Sequence, residues 1–199
     1  MYSIETICSI VQGSFYKKGA TNSTIEYLSC DSRNIQFASE TLFFAIATQQ
    51  GDGHIYVADA YKKGIRNFII SKELTIELYE NSNLILVRDT IKALQVLAAH
   101  HRSNFDIPVI GITGSNGKTI VKEWLYQLLQ HDYNIIRSPK SYNSQIGVPL
   151  SVWGINNGHT LAIFEAGISQ VGEMENLVAI IKPTIGIITN IGEAHSSGF

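Results

Sequence analysis

The chain has 199 residues, of which 45% are hydrophobic and 16% are charged, and its formal net charge is −2. This apolar content is sufficient for a packed core and excludes an intrinsically disordered chain. Neither half of the sequence is basic, which excludes nucleic-acid binding through bulk charge, so a phosphate ligand would have to be held by local geometry.

The sequence carries no sign of export or membrane insertion. The N-terminus lacks the basic start, apolar run and cleavage site of a signal peptide, and no apolar run approaches the ~18 residues of a membrane span. Cys8 and Cys30 form no metal-binding spacing, and reduced thiols are favoured over a disulfide. We therefore expect a cytoplasmic protein.

The first half of the chain is predicted to be mixed α/β. Short runs of β-forming residues predict strands at 42–46, 67–70 and 84–87. Apolar residues at helical spacing predict a helix over 55–63, and a capping threonine begins a second predicted helix over 90–102.

The second half alternates strands and helices more regularly. Strands are predicted at 107–112, 134–137, 161–165 and 185–189, and helices at 117–130, 144–153 and 172–181. This alternation indicates an α/β fold with a parallel sheet covered on both faces, whose ligands bind at the carboxyl ends of the strands. All four prolines lie in this half, and the shift in composition predicts two domains, 1–105 and 106–199.

The strongest functional signal is the segment 109–119, VIGITGSNGKT, in which an apolar strand runs through a glycine-rich turn into a helix. Glycines let backbone N–H groups approach phosphate oxygens, and the helix N-terminus adds unpaired N–H groups. Lys118 can reach the β- and γ-phosphates, and Thr119 can ligate Mg²⁺. The strict G-x-x-x-x-G-K-[ST] pattern fails at Ile112, but the coincidence of strand, turn, Lys-Thr and helix favours an ATP site over an incidental turn.

Three polar residues of the second half are candidates for the same site. Glu165 ends an apolar strand and is positioned for Mg²⁺, with a solvated strand end as the alternative. His195 follows the last strand, where a histidine without a catalytic role is the simpler interpretation. Asn143 precedes a predicted helix and either caps it or projects toward phosphate and substrate.

The first half offers weaker candidates. Arg33, in the polar loop Asp31-Ser32-Arg33, presents a planar fork for phosphate or carboxylate, although a solvated turn is favoured there. The turn at 51–54, which ends in His54, is either anion-receptive or merely flexible. Four aromatic residues on apolar faces are predicted to be core, namely Phe43, Phe44, Trp124 and Trp153.

Several long motifs together resemble one family. They are GITGSNGKT, SYNSQIGVPLSV, FEAGISQVGEMENL and KPTIGIITNIGEAH in the second half, and CDSRNIQFASETLFFAI and GDGHIYVADAYKKGIRNFII in the first. These segments are similar to the Mur ligases of peptidoglycan precursor synthesis. The pair Lys122-Glu123 and the NSQIGVP stretch make the resemblance closest to the D-alanyl-D-alanine-adding type.

The resemblance implies roles for individual residues. ATP would be held by the phosphate loop, that is by Thr113, Gly114, Ser115, Asn116, Gly117, Lys118 and Thr119. Thr119 and Glu165 would bind one Mg²⁺, and Glu165 and His195 would help to bind a second. Asn143 would lie near the γ-phosphate. The expected catalytic residues are Lys118, Asn143, Glu165 and His195. The UDP-linked substrate would contact Asp31, Ser32, Arg33 and His54. The sequence departs from the family pattern at Ile120 and Ser144, where a small hydroxyl residue and a second asparagine are common.

The implied activity is ATP-dependent addition of D-alanyl-D-alanine to UDP-N-acetylmuramoyl-tripeptide through an acyl phosphate. A small mixed α/β domain for the UDP-linked substrate would precede the first part of a parallel-sheet ATPase domain. The resemblance leads us to expect an N-terminal fragment that lacks its C-terminal domains and does not ligate alone. The alternatives are a ligase that adds the third peptide residue, a folylpolyglutamate synthase, against which the Asp31-Ser32-Arg33 region argues, and a nucleotide-binding module without ligase activity.

Overall fold

The computed structural model describes residues 1–19 and 24–192. The chain divides into two compact units, Met1–Leu97 and Ala98–Phe199. The division falls inside a helix and not in the segment 104–108, where the composition changes. The ligand roles assigned to the two predicted domains stay predictions.

A five-stranded mixed sheet forms the first unit. Its strand order is β2-β9-β8-β5-β4, and the strands are β2 (Ser14–Lys17), β4 (Tyr27–Ser29), β5 (Thr41–Phe44), β8 (Asn67–Ile70) and β9 (Asn83–Leu86). Strands β4, β5, β8 and β9 are parallel, whereas β2 runs antiparallel to β9. Every residue of β5 and β8 is buried, which explains the continuous apolar runs at 42–44 and 68–70 that follow the polar first residue of each strand.

Short elements complete the first unit. They are β1 (Tyr2–Ser3), α1 (Ile4–Ile10), β3 (Thr24–Ile25), β6 (Ala47–Thr48), β7 (Gly51–Asp52), α2 (Val57–Lys62), and 3₁₀ turns at Ala38–Glu40, Gly53–Tyr56 and Ile76–Leu78. Helix α3 (Thr90–Arg102) leads out of the unit. One face of the sheet packs Phe43 against Phe68 with ring centroids 6.1 Å apart, and Val57 and Ala60 of α2 join the same apolar cluster.

The second unit contains a four-stranded, fully parallel sheet of order β11-β12-β10-β13. Its elements are β10 (Val109–Thr113), α4 (Lys118–Leu129), β11 (Ile135–Arg137), α5 (Gly147–Trp153), β12 (Leu161–Glu165), α6 (Glu173–Ile181) and β13 (Ile185–Ile188). The predicted strands and helices of this half are therefore present, and the parallel sheet confirms the predicted α/β class. Thr113, Glu165 and Ile188 end neighbouring strands at the same edge of the sheet.

Residues of the central strands alternate between the two faces of this sheet. Ile110, Ile112 and Ile163 pack against Val121 and other apolar residues of α4. Val109, Ala162 and Phe164 point the other way and pack against α5 and α6. Helices thus cover both faces, as predicted from the continuous apolar runs.

Helix α4 shows where the prediction of core aromatics fails. Phe43, Phe44 and Trp153 are buried, but the side chain of Trp124 is 63% exposed. Val121, Leu125 and Leu129 pack on the sheet, and Trp124 lies to one side of this stripe, where the sheet does not cover it. The prediction for Trp124 is therefore wrong because a hydrophobic residue need not belong to the buried stripe.

Helix α5 begins later than predicted, at Gly147. The hydroxyl of Ser144 accepts the backbone N–H of Gly147 at 3.1 Å, which satisfies one of the donors at the start of the helix. Pro149 then lies in the first turn, where its missing N–H costs no intrahelical hydrogen bond.

Arg102, the last residue of α3, forms hydrogen bonds with other segments of the second unit. Its buried guanidinium donates to the carbonyls of Ile181 at 3.0 Å and Phe105 at 2.5 Å. The Ile181 carbonyl is the last of α6, where the helix dipole favours a cation. Among the described residues, no helix combines the length and apolarity needed to cross a bilayer.

Candidate nucleotide-binding site

The glycine-rich turn between β10 and α4 has the backbone shape that its sequence predicts. Gly114 has a φ of +130° and Gly117 has a φ of +81°, both in a region that side chains disfavour. Gly117 is also the N-cap of α4, and among the described residues no side chain caps the first N–H groups of that helix. Those N–H groups have no partner inside the helix either, so they form an anion-receptive terminus.

The segment that follows β13 supports this turn. The carbonyl of Asn190 accepts the N–H of Ser115 at 3.0 Å, and its side-chain oxygen accepts the N–H of Asn116 at 2.9 Å. The Thr189 hydroxyl lies 2.5 Å from the carbonyl oxygen of Asn116 and fills the space beside Gly114, where an added Cβ would meet it at 2.2 Å.

These contacts refine the predicted ATP-binding set. The N–H groups of Ser115 and Asn116 are already donated to Asn190, so they hold the loop in shape. The N–H groups left for phosphate lie at the start of α4, from Lys118 onward. The sequence interpretation missed the supporting role of Thr189 and Asn190; their position after a strand of the same parallel sheet was the available signal.

Lys118 lies folded over the loop. Its ammonium donates to the carbonyl of Gly114 at 2.6 Å, and its side chain is half-buried. A carbonyl is a weaker partner for an ammonium than a phosphate oxygen, because the phosphate oxygen adds the attraction between opposite charges to the hydrogen bond. The side chain is thus placed at the phosphate loop, with its ammonium free to exchange one acceptor for another.

Glu165 is completely buried at the end of β12. One carboxylate oxygen, Oε2, accepts the hydroxyl of Thr119 at 3.1 Å, and the other, Oε1, lies 2.9 Å from the ammonium of Lys122. The alternative of a solvated strand end is therefore wrong. The structure brings together the two residues predicted to share a Mg²⁺ ion, Thr119 and Glu165.

This pair fits Mg²⁺ as the sequence predicts. Oε1 of Glu165 is buried and receives no well-aligned hydrogen bond, despite the nearby charge of Lys122. Among the described residues, no three His, Cys, Asp or Glu side chains cluster as a metal cage. In nucleotide sites Mg²⁺ is typically bound by one or two protein oxygens, here a hydroxyl and a carboxylate, and phosphate and water oxygens fill the remaining coordination positions.

The two other predicted catalytic residues have different outcomes. Asn143 is half-buried, and its carbonyl accepts the N–H of Gly167 at 2.8 Å, two residues beyond Glu165. Its side-chain amide also lies against Gly167, where an added Cβ would be 2.9 Å from Cγ of Asn143. Asn143 is therefore held close to the strand end that carries Glu165, and it is Ser144, not Asn143, that caps α5. His195 lies outside the described residues.

In the first unit, Asp31 and Arg33 bind each other. Nε of Arg33 donates to Oδ1 of Asp31 at 2.9 Å, and a terminal nitrogen donates to Oδ2 at 2.7 Å. The side chain of Arg33 is exposed and that of Asp31 is half-buried, and the guanidinium of Arg33 lowers the pKa of Asp31 to about 2. The planar fork exists as predicted, but a carboxylate of its own loop occupies it.

Ser32, between them, is buried and contributes to the loop through its backbone. Its carbonyl accepts the ammonium of Lys63 at 2.7 Å, and its hydroxyl lowers the pKa of the Asp59 carboxyl. Lys63 also pairs with Asp59 at 3.0 Å. The loop is therefore attached to the end of α2 and is more ordered than a solvated turn.

His54 is buried and has both ring nitrogens engaged. The backbone N–H of Ser71 donates to Nε2 at 3.0 Å, which requires the other nitrogen, Nδ1, to carry the proton toward Asp52 at 2.5 Å. Lys72 also binds Asp52 and, together with His54, holds the pKa of Asp52 well below its usual range. The histidine thus joins the 51–54 turn to the end of β8, and the idea of a merely flexible turn is wrong.

The central strand of this parallel sheet enters a glycine-rich turn, which is followed by Lys-Thr and a helix, and the next strand ends in a buried carboxylate. This arrangement defines the P-loop class of nucleotide-binding folds. Residues 112–199 match the family described as Mur ligase middle domain. The second unit of the chain, which contains this match, therefore belongs to the Mur ligase family.

Named relatives cover both units of the chain. It is 38% identical over 176 residues to a UDP-N-acetylmuramoyl-tripeptide–D-alanyl-D-alanine ligase of Rickettsia prowazekii, covering 86% of this chain and 38% of the relative. The Bacillus subtilis ligase of the same name is 31% identical over 97% of this chain and 42% of its own length. The chain therefore spans about two fifths of the length of the curated relatives it matches.

Solved structures agree with these matches. A crystal structure of MurF from Acinetobacter baumannii superposes with a TM-score of 0.86 at 27% identity, covering 100% of this chain and 43% of that one. MurF from Thermotoga maritima in complex with ADP superposes with a TM-score of 0.74 at 28% identity, covering 85% of this chain and 38% of that one. The resemblance inferred from the motifs is thus confirmed.

Proposed function

We propose that the chain supplies the UDP-substrate-binding and nucleotide-binding parts of a cytoplasmic, ATP-dependent ligase that adds D-alanyl-D-alanine to UDP-N-acetylmuramoyl-tripeptide. The single observation that carries the proposal is the phosphate loop, with Thr119 bonded to the buried carboxylate of Glu165. The printed names of the relatives, matched over 86% and 97% of this chain, support the choice of substrates.

The proposed chemistry solves a specific problem, because a carboxylate is a poor electrophile at neutral pH. The terminal carboxylate of the tripeptide attacks the γ-phosphorus of ATP, which forms an acyl phosphate and releases ADP. The amine of D-alanyl-D-alanine then attacks the acyl carbon, and inorganic phosphate leaves with the electron pair of the broken C–O bond. The product is an amide.

This chain's residues act mainly on the phosphates. Lys118 would exchange the Gly114 carbonyl for a phosphate oxygen, and the first N–H groups of α4 would bind the same group. Thr119 and Glu165 would hold Mg²⁺, which neutralises developing charge on the transferring phosphoryl group when it is bound. Asn143, held beside Gly167, would lie near the γ-phosphate, and His195 would help to hold a second ion.

Residues of the first unit would bind the UDP-linked substrate. Arg33 is the best placed for a phosphate group, because its guanidinium is exposed and its present partner Asp31 is in the same loop. Ser32 and His54 are buried and bonded, so we assign them the task of shaping the loops on which the substrate rests.

Calorimetric titration of the chain with three ligands tests the proposal. We expect binding of ATP with Mg²⁺ and of UDP-N-acetylmuramoyl-tripeptide, with weaker binding of the corresponding dipeptide nucleotide. Lys118→Met should lower ATP affinity at least tenfold, because a hydrogen bond to a charged group contributes about 1.5–3 kcal/mol, and should leave tripeptide binding unchanged. Preference for the dipeptide nucleotide would favour the ligase that adds the third residue. ATP binding without either nucleotide sugar would leave a nucleotide-binding module.

A further inference from the structure

Lys122 carries a charge that is fully buried one helical turn behind the phosphate loop. Its side chain has no exposed surface, and it is among the largest completely buried residues of the described chain. Lysine is almost never fully buried unless it is paired, because an isolated ammonium loses its hydration. Its spacing from Lys118 and Thr119 places all three on one face of α4.

The ammonium of Lys122 joins three segments of the second unit. It donates to the carbonyl of Ser138 at 2.8 Å and to that of Lys140, both in the loop that follows β11. It also lies 2.9 Å from Oε1 of Glu165, at the end of β12. Two neutral acceptors and the buried carboxylate therefore surround a single cation, and the half-exposed carboxylate of Glu123 lies farther off at 3.4 Å.

Glu165 has partners at both carboxylate oxygens and at its backbone N–H. Oε2 accepts the Thr119 hydroxyl, and the backbone N–H donates to the hydroxyl of Ser138 at 3.1 Å. Oε1 faces Lys122 at ion-pair distance without an aligned hydrogen bond. Lys122 thus attracts the carboxylate by charge while leaving the lone pairs of Oε1 without a directed donor.

The loop held by Lys122 also leads to Asn143. Lys140 has a φ of +50°, an uncommon backbone conformation for a residue other than glycine, and its carbonyl accepts the Lys122 ammonium. Three residues further on, the carbonyl of Asn143 accepts the N–H of Gly167. Lys122 therefore contacts both the end of β12, which carries Glu165, and the loop after β11 that leads to Asn143.

We propose that Lys122 is a positioning residue that holds the Glu165 carboxylate in the orientation required to take Mg²⁺ together with nucleotide phosphates. The proposal rests on the nucleotide-binding function given above. It differs from a purely structural role in one measurable respect. A structural lysine would affect ATP binding equally with and without Mg²⁺, whereas a positioning lysine affects the part of the affinity that depends on the ion.

The test compares the dissociation constant for ATP in EDTA with that in Mg²⁺, measured by calorimetry; their ratio is the metal increment. We expect Lys122→Gln to reduce the increment at least tenfold while changing ATP affinity in EDTA less than threefold. Glu165→Gln should abolish the increment, and adding Lys122→Gln to that variant should change it less than twofold. Glu123→Gln is the matched control, because Glu123 is 39% exposed and 3.4 Å from the same ammonium, and it should keep the increment.

The measured increments distinguish a positioning role of Lys122 from a purely structural one. An unchanged increment in Lys122→Gln, or equal losses in EDTA and Mg²⁺, would overturn the positioning role while leaving the nucleotide site intact. Lack of ATP binding by the unaltered chain would overturn the proposed function itself, and this inference with it. If Lys122→Gln does not fold, the ¹⁵N signal of the buried ammonium in the unaltered chain gives the answer: we expect it to shift with Mg²⁺ and ATP but not with ATP in EDTA, and no shift would overturn the proposal.

Discussion

Replacement of Gly114 by alanine should disrupt the phosphate loop by displacing Thr189 and Asn190, which support it, and not by removing a group that binds the nucleotide. The added Cβ would lie 2.2 Å from the Thr189 hydroxyl oxygen and 2.9 Å from the Asn190 carbonyl oxygen, well inside van der Waals contact. The φ of +130° at this position is also a backbone conformation that alanine rarely adopts. The loop and the segment after β13 must therefore separate.

The expected cost follows from these two effects. Backbone strain at a glycine-only conformation costs about 1–3 kcal/mol. Displacement of Thr189 removes its contacts with the carbonyls of Asn116 at 2.5 Å and Thr113 at 3.2 Å, and together these contribute about 1–2 kcal/mol. The free energy of unfolding of the second unit should fall by about 2–5 kcal/mol, and affinity for ATP with Mg²⁺ should fall at least tenfold.

Urea unfolding followed by tryptophan fluorescence measures the first quantity, because both tryptophans, Trp124 and Trp153, lie in the second unit. Gly172→Ala is the matched control: Gly172 has a φ of +87°, but an added Cβ would meet nothing within 4 Å. It should cost only about 1–2 kcal/mol and leave ATP affinity unchanged. Equal losses of stability and affinity in the two variants would refute the assigned role of the Thr189 contact.

Three further outcomes follow from single side chains. Arg33→Met should raise the pKa of Asp31 from about 2 toward 3.8 in a ¹³C NMR titration. Because the folded-state pKa is lowered, the stabilisation by Asp31 is present above pH 3.8 and lost as the pH falls through about 2. The variant should lose the part of this dependence that the guanidinium supplies and keep the part supplied by the backbone N–H of residue 33. His54→Leu should cost the first unit about 2–3 kcal/mol by leaving the Ser71 N–H without its acceptor, measured by faster hydrogen exchange of the β8 amides. Arg102→Met should lower the unfolding free energy of the second unit by about 2–4 kcal/mol in the fluorescence assay, because buried carbonyls lose charged donors.

These outcomes can each be contradicted. A pKa of Asp31 that stays near 2 in Arg33→Met would mean that a group other than the guanidinium stabilises the carboxylate. Unchanged exchange at β8 in His54→Leu would show that the histidine contact does not stabilise the strand. A fluorescence transition for Arg102→Met that coincides with the unaltered chain would remove Arg102 as an anchor of α3.

The central parts of both sheets were predictable because burial on two faces leaves an unmistakable apolar run. Strand β12 was predicted with its observed bounds, Leu161–Glu165, and β8 likewise at Asn67–Ile70. Helix α1 and strand β2 were not predicted, since both are short and mix polar with apolar residues. Element ends were less accurate, because they depend on caps such as the Ser144 hydroxyl at the start of α5.

The site was predictable only as far as its chemistry is local in sequence. The phosphate loop could be found because glycines, Lys118 and Thr119 lie within a few residues of one another. The contact of Thr119 with Glu165 could be expected from parallel strands that end at one sheet edge. Three contacts depend on side-chain directions that no spacing reveals. They are the pairing of Arg33 with Asp31, the hydrogen bond of His54 to the Ser71 N–H, and the approach of Lys122 to Glu165 behind the loop.

The hydrogen bonds between the phosphate loop and Asn190 have a consequence for synthesis of the chain on the ribosome. The glycine-rich turn leaves the exit tunnel early, but its partners follow 74 residues later in the sequence. Because domains form as their sequence emerges, β10 and α4 can pack first while the turn between them lacks its shape. A nascent chain that ends before Thr189 should carry the complete nucleotide signature in its sequence and still fail to bind nucleotide tightly.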